Sequence, residues 1–223
     1  MTVLPPAEAY TLWAPHYATE TVISALDYVA VESLGVDVRG LRLLDVGCGI
    51  ARRLTQARES GVGLAVGVDL TPRMLAEARA GELLAAADVR ALPIADESFD
   101  VVWCRLVLGH LATLDAAYAE LARVCAYGGR VIVTDFHPDA VDAGHRRTFR
   151  DDDGVVREIE HHVHTPRAHR RAATRAGLTL VHRFDRAVGE TVRGLRARGA
   201  AGRVRAAVRA GGRARARVRA RVS

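Results

Sequence analysis

The sequence predicts an α/β fold with a doubly wound, mostly parallel sheet. Three observations carry that prediction. Short apolar runs alternate with amphipathic helical stretches, the runs read as buried on both faces, and the first of them ends in glycines. LRLLDV (41–46) is the first such run, leading into Gly47-Cys48-Gly49 and a helical stretch over about 51–60. LAVGVDL (64–70) is the second, with Pro72 at a first helical turn ahead of RMLAEARA. LLAAAD (83–88) is a weaker third, FDVVWCRLVL (99–108) a fourth and VIVTDF (131–136) a fifth. Between the last two, DAAYAELARVCAYGG has helical spacing and is expected to stop at Gly128-Gly129.

The flanks read differently. The first 35 residues look helical, broken by Pro5, Pro6 and Pro15, with a longer helix starting near Thr19. After Pro138 comes a polar insert, then a strand-like VVREIEHHVH, a helix from about Pro166 and a last strand LTLVHRF (178–184). The expected organisation is an N-terminal helical lid (1–36), a ligand-binding α/β domain (37–190) with a cover over about 138–165, and a tail (191–223).

Of 223 residues, 26 are Asp or Glu and 32 are basic, all of them Arg, for a net charge of +6. Eleven Arg and no acid fall in 193–223, which leaves residues 1–192 with 21 Arg against 26 acids, a net of −5. The body is acidic and offers no basic face for nucleic acid; only the tail could supply one. RARARVRARV alternates strictly, and a row of Arg is costly in a strand buried on both faces, so the tail is not expected to complete such a sheet, whose last strand would be missing or replaced. A basic arm, a solvated disordered end and an out-of-frame reading of GC-rich DNA each account for that composition. No run approaches the roughly 20 apolar residues of a membrane span, and MTVLPPAEAY lacks a secretory pattern, so the expectation is a cytoplasmic protein. Cys48, Cys104 and Cys125 form no CxxC pair and read as reduced thiols, with no metal site expected.

The sharpest signal is Leu44-Asp45-Val46-Gly47-Cys48-Gly49, where glycines let the backbone turn and approach a ligand. Asp45 stands where a dinucleotide site usually has an apolar residue, and could face an ammonium group. Asp69 closes the next run, 22 residues beyond Gly47, in position to accept from ribose hydroxyls. A GxGxxG pattern fails at Arg52, and a P-loop is impossible without Lys.

LLDVGCG, VGVDLTPRMLAEA, AADVRALPIADESFDVVWC and LARVCAYGGRVIVTDFHP, in that order, resemble the class I S-adenosylmethionine-dependent methyltransferases, small-molecule type 11 branch, over about residues 10–186. The resemblance implies a Rossmann-like domain using S-adenosyl-L-methionine to methylate a small-molecule acceptor by in-line displacement, as a monomer or homodimer. It implies that Asp45, Gly47, Cys48 and Gly49 surround the methionine part, Asp69 holds the ribose, and Leu70 lies against the adenine. Asp88 would bond the adenine amino group, the Val89 backbone would reach the ring, and Arg105 and Leu106 would lie beside the transferable methyl. Ala51 replaces the pattern's third glycine, and Tyr127 stands where Pro is usual. The alternatives are a methyltransferase-like protein binding nucleic acid through its tail and a homologue that binds the cofactor without transferring methyl.

Candidate bases are His110 and His137, each with a rival role as a helix cap or turn. Tyr10, Trp13, Tyr17 and His162 are the expected acceptor-pocket residues; in a strand, His162 and His164 would share a face opposite His161, too few for a metal site. Arg146, Arg147 and Arg150 read either as anion ligands or as part of a solvated turn with Asp151–Asp153.

Overall fold

A computed structural model describes residues 2–18, 21–183 and 185. In chain order its elements begin with β1 (Val3–Leu4), α1 (Pro6–Trp13), a single 3-10 turn (Ala14–His16) and α2 (Val22–Glu32). Then follow β2 (Arg42–Val46), α3 (Arg52–Glu59), β3 (Leu64–Asp69), α4 (Pro72–Ala76), β4 (Leu83–Ala86) and β5 (Phe99–Arg105). After a 3-10 turn at Leu108–His110 come α5 (Asp115–Val124), β6 (Cys125–Thr134), α6 (Pro138–Asp142), β7 (Thr148–Arg150), β8 (Val156–Ile159) and α7 (Pro166–Arg175).

The larger sheet has the order β4-β3-β2-β5-β6 with every pairing parallel, as the apolar runs predict. Leu43, Leu44, Val101 and Val102 are fully buried, since helices cover both faces. β2 is flanked by β3 on one side and β5 on the other, so the winding direction reverses at its carboxyl end. Ligands bind in the crevice that such a reversal opens. No helix among the described residues is long and apolar enough to cross a membrane.

Four expectations are corrected. The helix read to Gly128-Gly129 stops at Val124, because the buried Cys125 already pairs with Phe99 in the sheet. The register then runs from Phe99–Cys125 to Val101–Arg130, so the extra residues of β6 bulge out, and Tyr127 lies exposed on that bulge. VVREIEHHVH is a strand only over Val156–Ile159. Residues 178–183 form no strand: Leu178 is buried, but Leu180 and Val181 stay exposed with no ladder partner. Val3–Leu4, read as helical, is a strand that pairs in parallel with Glu158–Ile159 in a second sheet of order β1-β8-β7. That sheet unites the N-terminus with the insert, through a small core of Leu4, Ala9, Phe149 and Ile159 with Tyr10 and Trp13 against it. The arginine-rich tail at 191–223 lies outside the described residues.

Candidate active site

The glycine turn at the end of β2 is built by backbone geometry. Gly47 has φ 73° and Gly49 φ 56°, and the Gly47 and Cys48 amides donate to the Val68 carbonyl at 2.7 and 3.0 Å. A Cβ on Gly47 would collide with Val107 Cγ2, so this position needs glycine for both conformation and space. Ala51 adopts φ 57° although it has a side chain, a conformation costing about 1–2 kcal/mol. It is fully buried at the start of α3, and the tightly bonded turn before it holds it there.

Asp69 ties this turn to the next. Its Oδ2 accepts from the Gly49 amide and its Oδ1 from the Thr71 amide, each at 2.8 Å. Burial raises its pKa. Each oxygen keeps a free lone pair. Leu70 is half exposed, Val89 is buried, and Asp88 grips the Arg90 guanidinium, which holds its carboxyl below the ordinary range. Gly47, Cys48, Gly49, Asp69, Leu70, Asp88, Val89, Arg105 and Leu106 all line one cavity of about 930 Å³. Burial pushes the Cys48 thiol up, so it is no nucleophile at neutral pH.

The opposite wall comes from the N-terminal segment and the insert: Tyr10, Trp13, Tyr17, Arg147 and His162, with His110 from the turn after β5. Tyr10 stacks on Trp13 at 5.9 Å, Trp13 stacks on Phe149 at 5.4 Å, and Tyr17 meets Trp13 edge-on at 4.9 Å. A polar chain crosses this wall. Arg147 Nη2 donates to the Tyr10 hydroxyl at 2.7 Å, and that hydroxyl lies 3.0 Å from His110 Nε2. His110 Nδ1 lies 3.2 Å from the Glu160 carbonyl. A carbonyl only accepts, so Nδ1 carries the ring proton and Nε2 accepts from Tyr10. Burial takes His110 down to about 3 and Tyr10 up to about 12, so both are neutral.

Not every expected residue faces the cavity. Asp45 lies beneath its wall, fully buried, and neither carboxylate oxygen has a hydrogen-bond partner among the described residues. Burial raises it to about 6, against the pull of the Arg53 and Arg105 charges. Arg105 reaches the cavity but is held by Asp27, whose Oδ2 accepts from Nε at 3.0 Å and pairs with Nη2 at 2.8 Å. Asp27 also accepts from Thr134 Oγ1 at 2.6 Å and lies 3.4 Å from Arg53. Burial opposes its ionisation, but Arg105, Arg53 and Thr134 together hold it below the ordinary carboxylate range. Asp27 escaped the sequence reading; its signal is an acid within an otherwise mostly apolar helix, ISALDYVAV.

His137 is placed elsewhere. Its Nδ1 accepts from the Asp139 amide at the start of α6, and it lines a second cavity of about 880 Å³ beside β6 and α7. The strand-based pairing of His162 with His164 does not hold, because residues 160–165 leave the strand. His162 turns to the first cavity beside Glu160, whereas His164 bonds the Leu111 carbonyl and lines the second. His161 packs toward Asp135. Arg146 pairs with Glu158 and Arg150 with the Gly154 carbonyl, leaving Arg147 alone of the three facing inward without an acid. Asp100 fixes the start of β2 by accepting from the Arg42 amide and guanidinium. Among the described residues no group of three or more His, Cys, Asp or Glu could hold a metal ion.

Residues 44–133 match the model of the methyltransferase domain. The chain is 32% identical over 138 residues to malonyl-[acyl-carrier protein] O-methyltransferase of Enterobacter lignolyticus, covering 60% of this chain and 55% of that protein. It is 37% identical over 105 residues to demethylmenaquinone methyltransferase of Thermus thermophilus, covering 44% and 48%. The chain thus spans about half the length of these curated relatives. An S-adenosylmethionine-dependent methyltransferase from Mesorhizobium loti superposes with a TM-score of 0.64 at 23% identity, over 80% of this chain and 91% of that one. The parallel sheet reversing at β2, the glycine turn at its carboxyl end and the matched segment agree: residues 44–133 form a methyltransferase domain, on the fold of the S-adenosylmethionine-dependent methyltransferases.

Proposed function

We propose that the protein transfers the methyl group of S-adenosyl-L-methionine to a small-molecule acceptor. The observation that carries this reading is one cavity lined on one side by the glycine turn, Asp69 and Asp88, and on the other by aromatic and polar groups of the N-terminal segment and insert. Its volume of about 930 Å³ lies at the upper end for small-molecule sites, enough for a cofactor and a modest acceptor together.

The residues present fit the cofactor. Gly47 and Gly49 keep the turn clear of side chains, and Asp69 retains acceptor capacity for ribose hydroxyls after bonding two amides. Leu70 and Val89 offer apolar surface for the adenine, and Asp88 an acceptor for its amino group once shared with Arg90. Bound S-adenosylmethionine supplies an activated methyl group, so the chain's task is alignment and exclusion of water. Residues 1–36 act as the lid and 138–165 as the cover, with Tyr10, Trp13 and Tyr17 closing the pocket. Asp45 acts from below by its charge rather than by contact. With its Nε2 engaged by Tyr10 and its pKa near 3, His110 positions Tyr10 rather than accepting a proton from the acceptor. The relatives are named for different acceptors, a malonyl group on a carrier protein and a demethylmenaquinone, so their names leave the acceptor open.

Titration calorimetry with S-adenosylhomocysteine, followed by its release from S-adenosylmethionine in the presence of metabolite pools, tests the reading. Turnover with any acceptor supports it. Binding without turnover favours a cofactor-binding homologue, and absence of binding refutes both.

A further inference from the structure

The cavity's arginines differ in how they are held. Asp27 takes Arg53 and Arg105, Asp88 takes Arg90, Glu158 takes Arg146, and Arg52 reaches the Ala18 carbonyl. Arg147 precedes β7, and among the described residues its side chain makes one hydrogen bond, to the neutral Tyr10 hydroxyl. Its guanidinium lies 5.3 Å from the Phe136 ring and 6.0 Å from the Tyr10 ring, which sandwich it without neutralising it. Its Nη1 is fully buried and bonds to nothing among the described residues. A buried donor on a full positive charge is expensive to leave unmet, more so than a neutral one.

We propose that the acceptor carries a carboxylate and that Arg147, steadied by Tyr10, is its binding site. One oxygen of the anion meets the free Nη1, and the Tyr10–His110–Glu160 chain fixes the angle at which the guanidinium is presented. One unpaired guanidinium with no second free cation beside it among the described residues suits a monoanion: Arg146 is already committed to Glu158. Tyr10 comes from α1 and Arg147 from the insert, so the anion bridges the two segments that wall the cavity. The proposal rests on the methyl-transfer reading for its location, and its test separates the two.

The full chain is first titrated with S-adenosylhomocysteine, then, in that complex, with acetate, butyrate and benzoate, each against its amide. At least one acid is expected to bind, its amide at least 10-fold more weakly. Arg147→Gln should weaken the acid about 10–100-fold, the value of a charge-assisted hydrogen bond, and leave the amide and the cofactor affinity unchanged. Arg147→Lys should recover part of the loss. A thermal midpoint for Arg147→Gln near that of the wild type shows that folding is not the cause. Equal binding of acid and amide, an Arg147→Gln variant as tight as wild type, or no acid bound to the cofactor complex overturns the proposal. Preference for phenyl phosphate over benzoate overturns it too. Failure to bind S-adenosylhomocysteine in the first titration instead removes the reading beneath it.

Discussion

Asp27→Ala tests how the N-terminal helix is fastened to the sheet. Asp27 is 5% exposed on α2 and accepts from Arg105 on β5 and Thr134 on β6, with Arg53 of α3 at 3.4 Å. Truncation leaves Arg105, itself 4% exposed, without its counter-charge. Removing one partner of a buried pair costs about 3–5 kcal/mol, because the survivor's desolvation is no longer offset. Against a typical total of about 5–15 kcal/mol, the expected fall in melting temperature is roughly 10 °C. Urea unfolding followed by tryptophan fluorescence reads it well, since Trp103 lies under Arg105 at 5.1 Å. Replacing both partners, Asp27→Leu with Arg105→Met, should recover most of the loss. A cost for Asp27→Ala under about 1 kcal/mol, or a double variant as unstable as the two single changes added, would refute the reasoning.

Three further outcomes follow from the site. Asp69→Ala removes the acceptor for the Gly49 and Thr71 amides and, on the proposed reading, for the ribose; S-adenosylhomocysteine affinity should fall more than about 100-fold by calorimetry, and an unchanged affinity overturns the assignment. Gly47→Ala meets both a positive φ and Val107; stability should drop by at least about 2 kcal/mol, and a wild-type urea midpoint counts against the described turn. Asp45, raised from 3.8 to about 6 by burial, favours the folded state only while protonated. Its contribution is full below about pH 4 and is lost as pH rises through about 6, a loss of order 3 kcal/mol. Asp45→Asn should therefore gain on wild type between pH 4.5 and 7.5, and parallel pH–stability curves would exclude the effect.

The sheet and the glycine turn were legible because they depend on local pattern. A strand buried on both faces must be apolar throughout, as VVWC and VIV are, and a turn needing positive φ at Gly47 and Gly49 advertises itself in glycine. Asp69 stood out in the sequence by its place at a strand end, and in the structure it lines one cavity with Asp88 and Leu106. The outer wall was not legible. His137 and His110 look alike in sequence, each just past a strand, yet one caps a short helix beside another cavity and the other joins the Tyr10 chain. Asp45 points to the interior because its neighbours in β2 leave it no exposed face.

The amino-acid sequence by itself determined the α/β class, the apolar runs that became parallel strands and the glycine turn after the first of them, since each rests on a pattern close along the chain. Only the tertiary structure decided that Val3–Leu4 pairs with Glu158–Ile159, that Asp27 holds Arg105 across 78 positions, and that Arg147 reaches Tyr10 across 137. Those are contacts between segments distant in sequence. Neither partner's residue type encodes them; each exists because the fold brings together groups that answer one another, a ladder edge, a counter-charge or a hydroxyl.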